Sequence, residues 1–270
     1  MRLLRISITA LFVVVLAIFC VFKIQQLSAD TTYPVITIDE DLLEVSIASD
    51  TEDLLKGVTA YDEKDGDLTH KIIVESISRF TQTGVCIVNY AVCDNDNHAS
   101  SASRKIVYID YTPPRFTLSG SLLFGVSQSM NIRSLLGAVD SIDGDISDKV
   151  IITANEYSSI TTGVNYISAK VTNSKGDLIS LELPVYVEEI NLSAPKIVLE
   201  HYLIYLSAGE TFDIDSNVLS VTDTNGTSLM GQVYADTNLD LSVPGVYEIH
   251  YRTEDSVGRK GHAITTVVVE

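Results

Sequence analysis

GVYEIHYR, residues 245–252, alternates with a period of two: Tyr247, Ile249 and Tyr251 fall on one face, and Glu248, His250 and Arg252 on the other. That is the pattern of an antiparallel β-strand with one face in a core and one face away from it. The same reading holds after two earlier glycines. Following Gly84 the inward set is Cys86, Val88, Tyr90 and Val92, and following Gly163 it is Ile167, Ala169 and Val171. Tyr90, Tyr166, Tyr247 and Tyr251 are all expected in or near a core, where a phenol ring brings apolar area and a polar tip.

Working outward from these strands, two further landmarks recur in a fixed order. A proline opens an apolar strand at Pro34, Pro114 and Pro195, spaced 80 and 81 residues. An Asp-Gly or Asn-Gly turn follows at Asp65-Gly66, Asp143-Gly144 and Asn225-Gly226, spaced 78 and 82 residues, ahead of Gly84, Gly163 and Gly245, spaced 79 and 82. Each unit ends on a β-branched strand closing at Asp110, Glu188 or Glu270. About seven short strands per unit, separated by Gly, Asn, Asp and Ser turns, predict an all-β chain of tandem β-sandwiches rather than a βαβ fold. The expected units are residues 31–112, 113–190 and 191–270, joined by the short segments Asp110 to Pro113 and Glu189 to Ala194. Junctions that short predict a semi-rigid rod, reaching on the order of 100 Å if the strands lie along its axis.

Residues 1–30 differ in composition. Ile6 to Phe22 is an unbroken apolar run, preceded by Arg2 and Arg5 and followed by Lys23. Its seventeen residues make roughly 26 Å of helix, near the lower limit for a hydrocarbon core of about 30 Å. It reads as an uncleaved transmembrane anchor with a cytoplasmic N-terminus and the sandwiches outside. The other reading is a signal peptide leaving at Leu27-Ser28-Ala29, which would make the chain a secreted protein. Phe19 before Cys20 argues against lipidation at that cysteine.

Charge excludes one class of partner. The chain has a formal net charge of −18, and residues 31–270 keep 15 basic against 35 acidic residues. Nucleic acid binding needs the opposite balance. Cysteine offers no disulfide framework: Cys86 and Cys93 share one strand, whose seven-residue span of about 23 Å is too long for a bond between them.

The sequence between the landmarks resembles a known family. GVTAYDEKDGDLTHKI and LGAVDSIDGDISDKV, each followed by TGV, together with YAVCDNDNHAS and the linker YIDYTPP, are similar to the bacterial surface-protein Ig-like domain, also found in certain pesticidal crystal toxins. The third unit matches through SVPGVYEIHYRTEDSVGR but lacks the acidic turn. The resemblance implies three immunoglobulin-like sandwiches used outside the cell for spacing, adhesion or recognition, with an extracellular protein or glycan as the ligand. It implies no chemistry.

Residue patterns for catalysis are absent: there is no Gly-x-Ser-x-Gly, His-Glu-x-x-His or phosphate-cradling glycine loop, so the chain is not expected to be an enzyme. His70, His98, His201, His250 and His262 lack ligand spacing and read as solvated side chains. The one constellation with chemical potential is acidic. Asp62, Asp65 and Asp67 in the first unit, and Asp140, Asp143 and Asp145 in the second, are hard oxygen donors of the kind that hold calcium. The competing reading is that they stabilise a tight turn by side-chain to backbone hydrogen bonds. Asp94 to Asn97 poses the same choice. In the third unit the aligned positions are Thr222, Asn225 and Thr227. Two further functions fit the same sequence: a secreted module for polysaccharide or cell-wall glycan, and an accessory subunit of an envelope complex.

Overall fold

The computed structural model describes residues 2–28, 31–154 and 160–270. It begins with one helix, α1, Arg2–Ser28. Its described side chains, residues 7–23, are exposed on every side, Leu11, Phe12 and Ile18 each at 65%. Among the described residues no helix is long and apolar enough to cross a membrane. Ala29 of the exit-site reading lies outside the described residues.

Beyond α1 the chain is almost wholly β, in two compact units, Met1–Asp110 and Tyr111–Glu270. The first unit carries seven described strands: β1 Val35–Ile38, β2 Leu42–Val45, β3 Val58–Asp62, β4 Gly66–Asp67, β5 Ile73–Ile77, β6 Val85–Cys93 and β7 Ala99–Tyr108. They form two sheets, β1-β3-β4 and β2-β7-β6-β5. β2 pairs parallel with β7 while the other pairings are antiparallel. One helical turn, α2 Thr51–Leu54, is capped by the Asp50 side chain, which accepts the N–H of Glu52 and Asp53.

The second unit repeats this strand order twice. β8 Arg115–Leu118, β9 Leu123–Gly125, β10 Leu136–Asp140, β11 Gly144–Asp145, β12 Ile151–Ala154, β13 Gly163–Thr172 and β14 Leu178–Glu188 form sheets β11-β10-β8 and β12-β13-β14-β9. A helical turn, α3 Ile132–Leu135, precedes β10. Then β15 Lys196–Leu199, β16 Leu203–Leu206, β17 Val218–Thr222, β18 Tyr234–Thr237, β19 Gly245–Glu254 and β20 Lys260–Val269 form sheets β15-β17 and β16-β20-β19-β18. In both, the second strand again runs parallel to the last. Where the earlier repeats place a two-residue strand, this one has a single bridge, Thr222 to Ser228.

Each pair of sheets encloses its own core, and the period-two faces supply it. Cys86, Val88, Tyr90 and Val92 are buried in one core, Ile167, Ala169 and Val171 in the next, Ile249 and Tyr251 in the third, with Tyr247 packed at its edge. Fully burying a Val, Leu or Ile side chain is worth about 1.5–3 kcal/mol, so these alternating strands carry much of each sandwich's stability. Tyr166 departs from the expectation. It stands 54% exposed because the alternation that buries Ile167 turns its neighbour outward. Among the described residues there is no disulfide; Cys86 is in the core and Cys93 at the surface.

Within the second unit the two sandwiches lie against each other, and the expected rod does not describe this pair. Ser121, just before β9, bonds both the N–H and the C=O of Ile264 on β20, at 2.8 and 2.9 Å. The Tyr205 hydroxyl accepts the N–H of Phe116 at 3.0 Å, and burial pushes that phenol up to about 12. Arg115 lies over the Tyr205 ring and pairs with Glu270 at 2.6 Å. A six-residue junction sets how far two domains can separate, not which faces they present to each other; complementary side chains on β8, β9, β14, β16, β19 and β20 set that.

Candidate functional site

The six aspartates fall into two equivalent sets of three, each with a distinct local task. Asp62, almost fully buried, accepts the N–H groups of Lys64 and Asp65 through Oδ1 at 2.8 and 2.9 Å. Asp140 does the same for Ile142 and Asp143 at 2.9 and 2.8 Å. These bonds close the turn, whose glycine sits at φ +78° for Gly66 and +71° for Gly144, a region that glycine enters without steric cost. Asp67 and Asp145 accept the N–H of Thr69 and Ser147, each at 2.9 Å. The hydroxyls of Thr69 and Ser147, and after them these N–H bonds, hold both carboxyls below the usual carboxylate range.

Asp65 and Asp143 reach further. Asp65 Oδ2 accepts the N–H of Asn95 at 2.7 Å, and Asp143 Oδ2 accepts the N–H of Ser174 at 2.7 Å while its Oδ1 takes the Ser174 hydroxyl. Asn95 and Ser174 lie in the hairpin tips between β6 and β7 and between β13 and β14, so each acidic turn joins one sheet of its sandwich to the other. Lys64 reinforces the first joint by pairing with Asp96, while Lys149, just after the second turn, pairs with Asp143 itself. Burial opposes ionisation of Asp143, but Ser174 and Lys149 outweigh it and its pKa is lowered.

The hairpin tips are organised by a second set of side chains that the spacing also marks. Asp94 accepts the N–H of Asp96 and His98, Asn173 that of Asp177, and Asp255 those of Val257 and Arg259. The positions 94, 173 and 255 are separated by 79 and 82 residues, the interval of Gly84, Gly163 and Gly245. The Asp94 to Asn97 run is therefore a hairpin tip. In the third repeat Asp223, one place after Thr222, accepts the N–H of Asn225 and Thr227 at 2.8 and 2.7 Å. The expectation that this turn had lost its carboxylate is corrected: the carboxylate has moved by one residue. Gly226 keeps its φ of +80°. Among the described residues no three of His, Cys, Asp and Glu come together as a metal site.

His70 and His201 are exposed, as expected of solvated side chains, but that reading is corrected for the other three histidines. His98 is held by Asp94 at 2.7 Å. His250 and His262 form a pair, Nδ1 of one 3.1 Å from Nε2 of the other, with ring planes 23° apart. Each has a carboxylate on its outer nitrogen, Glu188 at 2.9 Å from His262 and Glu248 at 3.6 Å from His250. Tyr186 donates to Glu248 at 2.6 Å and sets its ring edge against His250. Tyr186 and Glu188 come from β14, the others from β19 and β20, so the cluster spans the second and third sandwiches. Alternation shows that Glu248 and His250 turn away from their own core, but holds no signal for the neighbour that covers them.

No family model matches the chain. A stretch of 138 residues, half of the chain, is 35% identical to the pesticidal crystal protein Cry22Aa of Bacillus thuringiensis. Another of 136 residues is 34% identical to an uncharacterized 81.3 kDa protein of Acholeplasma phage L2. Each match spans only 18% of the relative's own length. Among solved structures, the M60 catalytic domain with CBM51 domains of Clostridium perfringens ZmpB aligns with 89% of this chain and 31% of its own, at 13% identity and a TM-score of 0.25. Drosophila N-cadherin EC1-4 aligns with 89% of this chain and 67% of its own, at 12% identity and a TM-score of 0.24. Scores this low define neither a fold type nor a ligand.

Proposed function

We propose that the protein is a membrane-anchored extracellular repeat protein. Residues 1–30 are its cytoplasmic stub, anchor and spacer, and residues 31–112, 113–190 and 191–270 are three tandem immunoglobulin-like domains that serve as a spacer, adhesion or recognition module. The observation that carries this reading is the recurrence of one strand order three times, each with its second strand parallel to its last, behind a helix that is apolar on every described side. Apolar side chains exposed all round favour an apolar surrounding, although the described part of the helix falls short of the length and hydropathy of a membrane span. Arg2 and Arg5 ahead of the run favour a cytoplasmic start. The crystal-protein and phage-protein matches, each a small part of a much longer chain, support the reading of these repeats as a portable module.

The acidic turns are scaffolding in this reading. Its support is that each of the six carboxylates already accepts a backbone N–H, so a calcium ion would have to compete with bonds that hold the turn. The ligand is an extracellular protein or a glycan.

The test is a display experiment on intact cells. A tag after Glu270 reacts with an impermeant reagent, one before Arg5 does not, and the chain stays with membranes through an alkaline wash. Labelling of the N-terminal tag alone, or release by the wash, overturns the anchored topology. Residues 31–270 used as bait on intact cells then separate a protein ligand from a glycan, the second being released by free sugar.

A further inference from the structure

We propose that the His250–His262 pair is a proton-counting latch: it holds the second sandwich against the third while at most one of the two rings is charged, and it releases them when both are. The argument begins with the hydrogen atoms. Two nitrogens 3.1 Å apart and facing each other share one hydrogen, so one ring must offer a lone pair there. His262 Nδ1, 2.9 Å from Glu188, is a donor to that carboxylate. Its Nε2 is then the acceptor, and His250 Nδ1 the donor. The remaining nitrogen, His250 Nε2, faces Glu248 at 3.6 Å and can take a proton without breaking the bond between the rings.

A second extra proton has only one place to go, His262 Nε2, and there it removes the bond between the rings and sets two N–H groups head to head. The groups packed around the pair sharpen this cost. From β19, Arg252 adds a positive charge, and from β14 Tyr186 donates to the same Glu248 oxygen that faces His250. Tyr186, whose phenol burial and Glu248 push up, offers no compensating charge. Glu188 is in direct contact with His262, and the His262 hydrogen bond holds it below the usual range. Burial, with His262 and Arg252, holds His250 below its ordinary value, against the pull of Glu248. Because His250 is held below its unfolded value of 6.5, the first proton is taken up on the acid side of that value.

The pair is placed where that cost opens an interface. Ile264, two residues from His262 on the same face of β20, bonds Ser121, and the Phe116 N–H reaches Tyr205. Those two amides report docking. Hydrogen exchange on the full chain in detergent, corrected for the intrinsic effect of pH, tests the latch. Between pH 7.5 and about pH 5, protection of Ile264 and Phe116 is expected to fall at least about tenfold, while Ala169 in the core of the second sandwich keeps its own. In His262→Gln, which accepts a hydrogen bond but takes no charge, the fall is lost. Unchanged protection in the natural chain, or the same fall in His262→Gln, overturns the proposal. Ring titration of the natural chain by NMR is the second measurement: two separated protonation steps are expected, with loss of protection following the second, and loss that follows the first overturns it.

Discussion

The carboxylate of Asp65 accepts the backbone N–H of Asn95 at 2.7 Å, across thirty residues and from one sheet of its sandwich to the other. Asp143 and Ser174 repeat the bond at 2.7 Å. An acidic turn that looks like a cation site in sequence is used as a strap between sheets. Calcium and a chelator should therefore leave the melting temperature of residues 31–270 unchanged to within error. A rise with calcium that disappears in Asp65→Asn and Asp143→Asn would give the site to the metal.

Removing the strap is expected to cost stability according to burial. Asp62→Ala, at a nearly buried position with two N–H groups to satisfy, should destabilise the first sandwich by about 2 kcal/mol. Asp65→Ala, at a half-buried position, should cost about 1 kcal/mol. Denaturant midpoints decide the order; equal losses would show that the two carboxylates are not divided between turn and strap.

Arg104 is buried in the first sandwich, and among the described residues no carboxylate pairs with it. Its guanidinium donates to the Tyr90 hydroxyl at 2.8 Å and to the carbonyl of Leu54 at 2.7 Å, and Tyr90 donates to the same carbonyl. Tyr90→Phe strips a buried charge of one of these acceptors and should cost about 2–3 kcal/mol. Tyr251→Phe in the third sandwich removes a hydroxyl that bonds the carbonyl of Ile214 and serves no buried charge, and should cost about 1 kcal/mol. Parallel chemical denaturation compares the two; a larger loss for Tyr251→Phe would contradict the charge argument.

Several turn carboxylates are held below their unfolded value of 3.8, Asp67 by Thr69, Asp145 by Ser147 and Asp240 by Ser242. Depressed carboxylates stabilise the folded state above their unfolded pKa, and that contribution is lost as pH falls through the folded one. Unfolding free energy should be flat in this respect above about pH 5 and fall below pH 3.8, in a window separate from that of His250. A decline that ends before pH 4 would assign acid sensitivity to the histidines alone.

The period of two was enough to choose the core side of β6, β13 and β19, because a strand has only two faces and one of them must be apolar. It failed at Tyr166 because ring size weighed more than position parity. Asp223 was missed because alignment on Gly226 assumed a carboxylate four residues before the glycine. Asp94, Asn173 and Asp255 were legible in the spacing, yet their bonds are local, and only the fold shows which turn they meet. His250 and His262 lie twelve positions apart and meet Glu188 from another sandwich; nothing in a single strand's pattern encodes a contact with a different domain.

Nicking between Glu189 and Ala194, where Leu192 is 96% exposed, should leave the two flanking sandwiches eluting together at neutral pH. Side-to-side bonds at Ser121, Phe116 and Arg115 hold them without the junction. Separation of free fragments at pH 7.5 in size-exclusion chromatography would show that the peptide link, and not the packed faces, keeps them together.

The parallel pairing of β2 with β7, repeated by β9 with β14 and by β16 with β20, bears on tension. In a parallel pair the entering end of one strand and the leaving end of the other lie at opposite ends of the ladder. A pull along the chain therefore drags the strands lengthwise past each other and strains every rung at once, whereas an antiparallel pair pulled from one end gives way rung by rung. In the proposed surface role, this ladder is the mechanical clamp of each sandwich, placed where its last strand hands the load on.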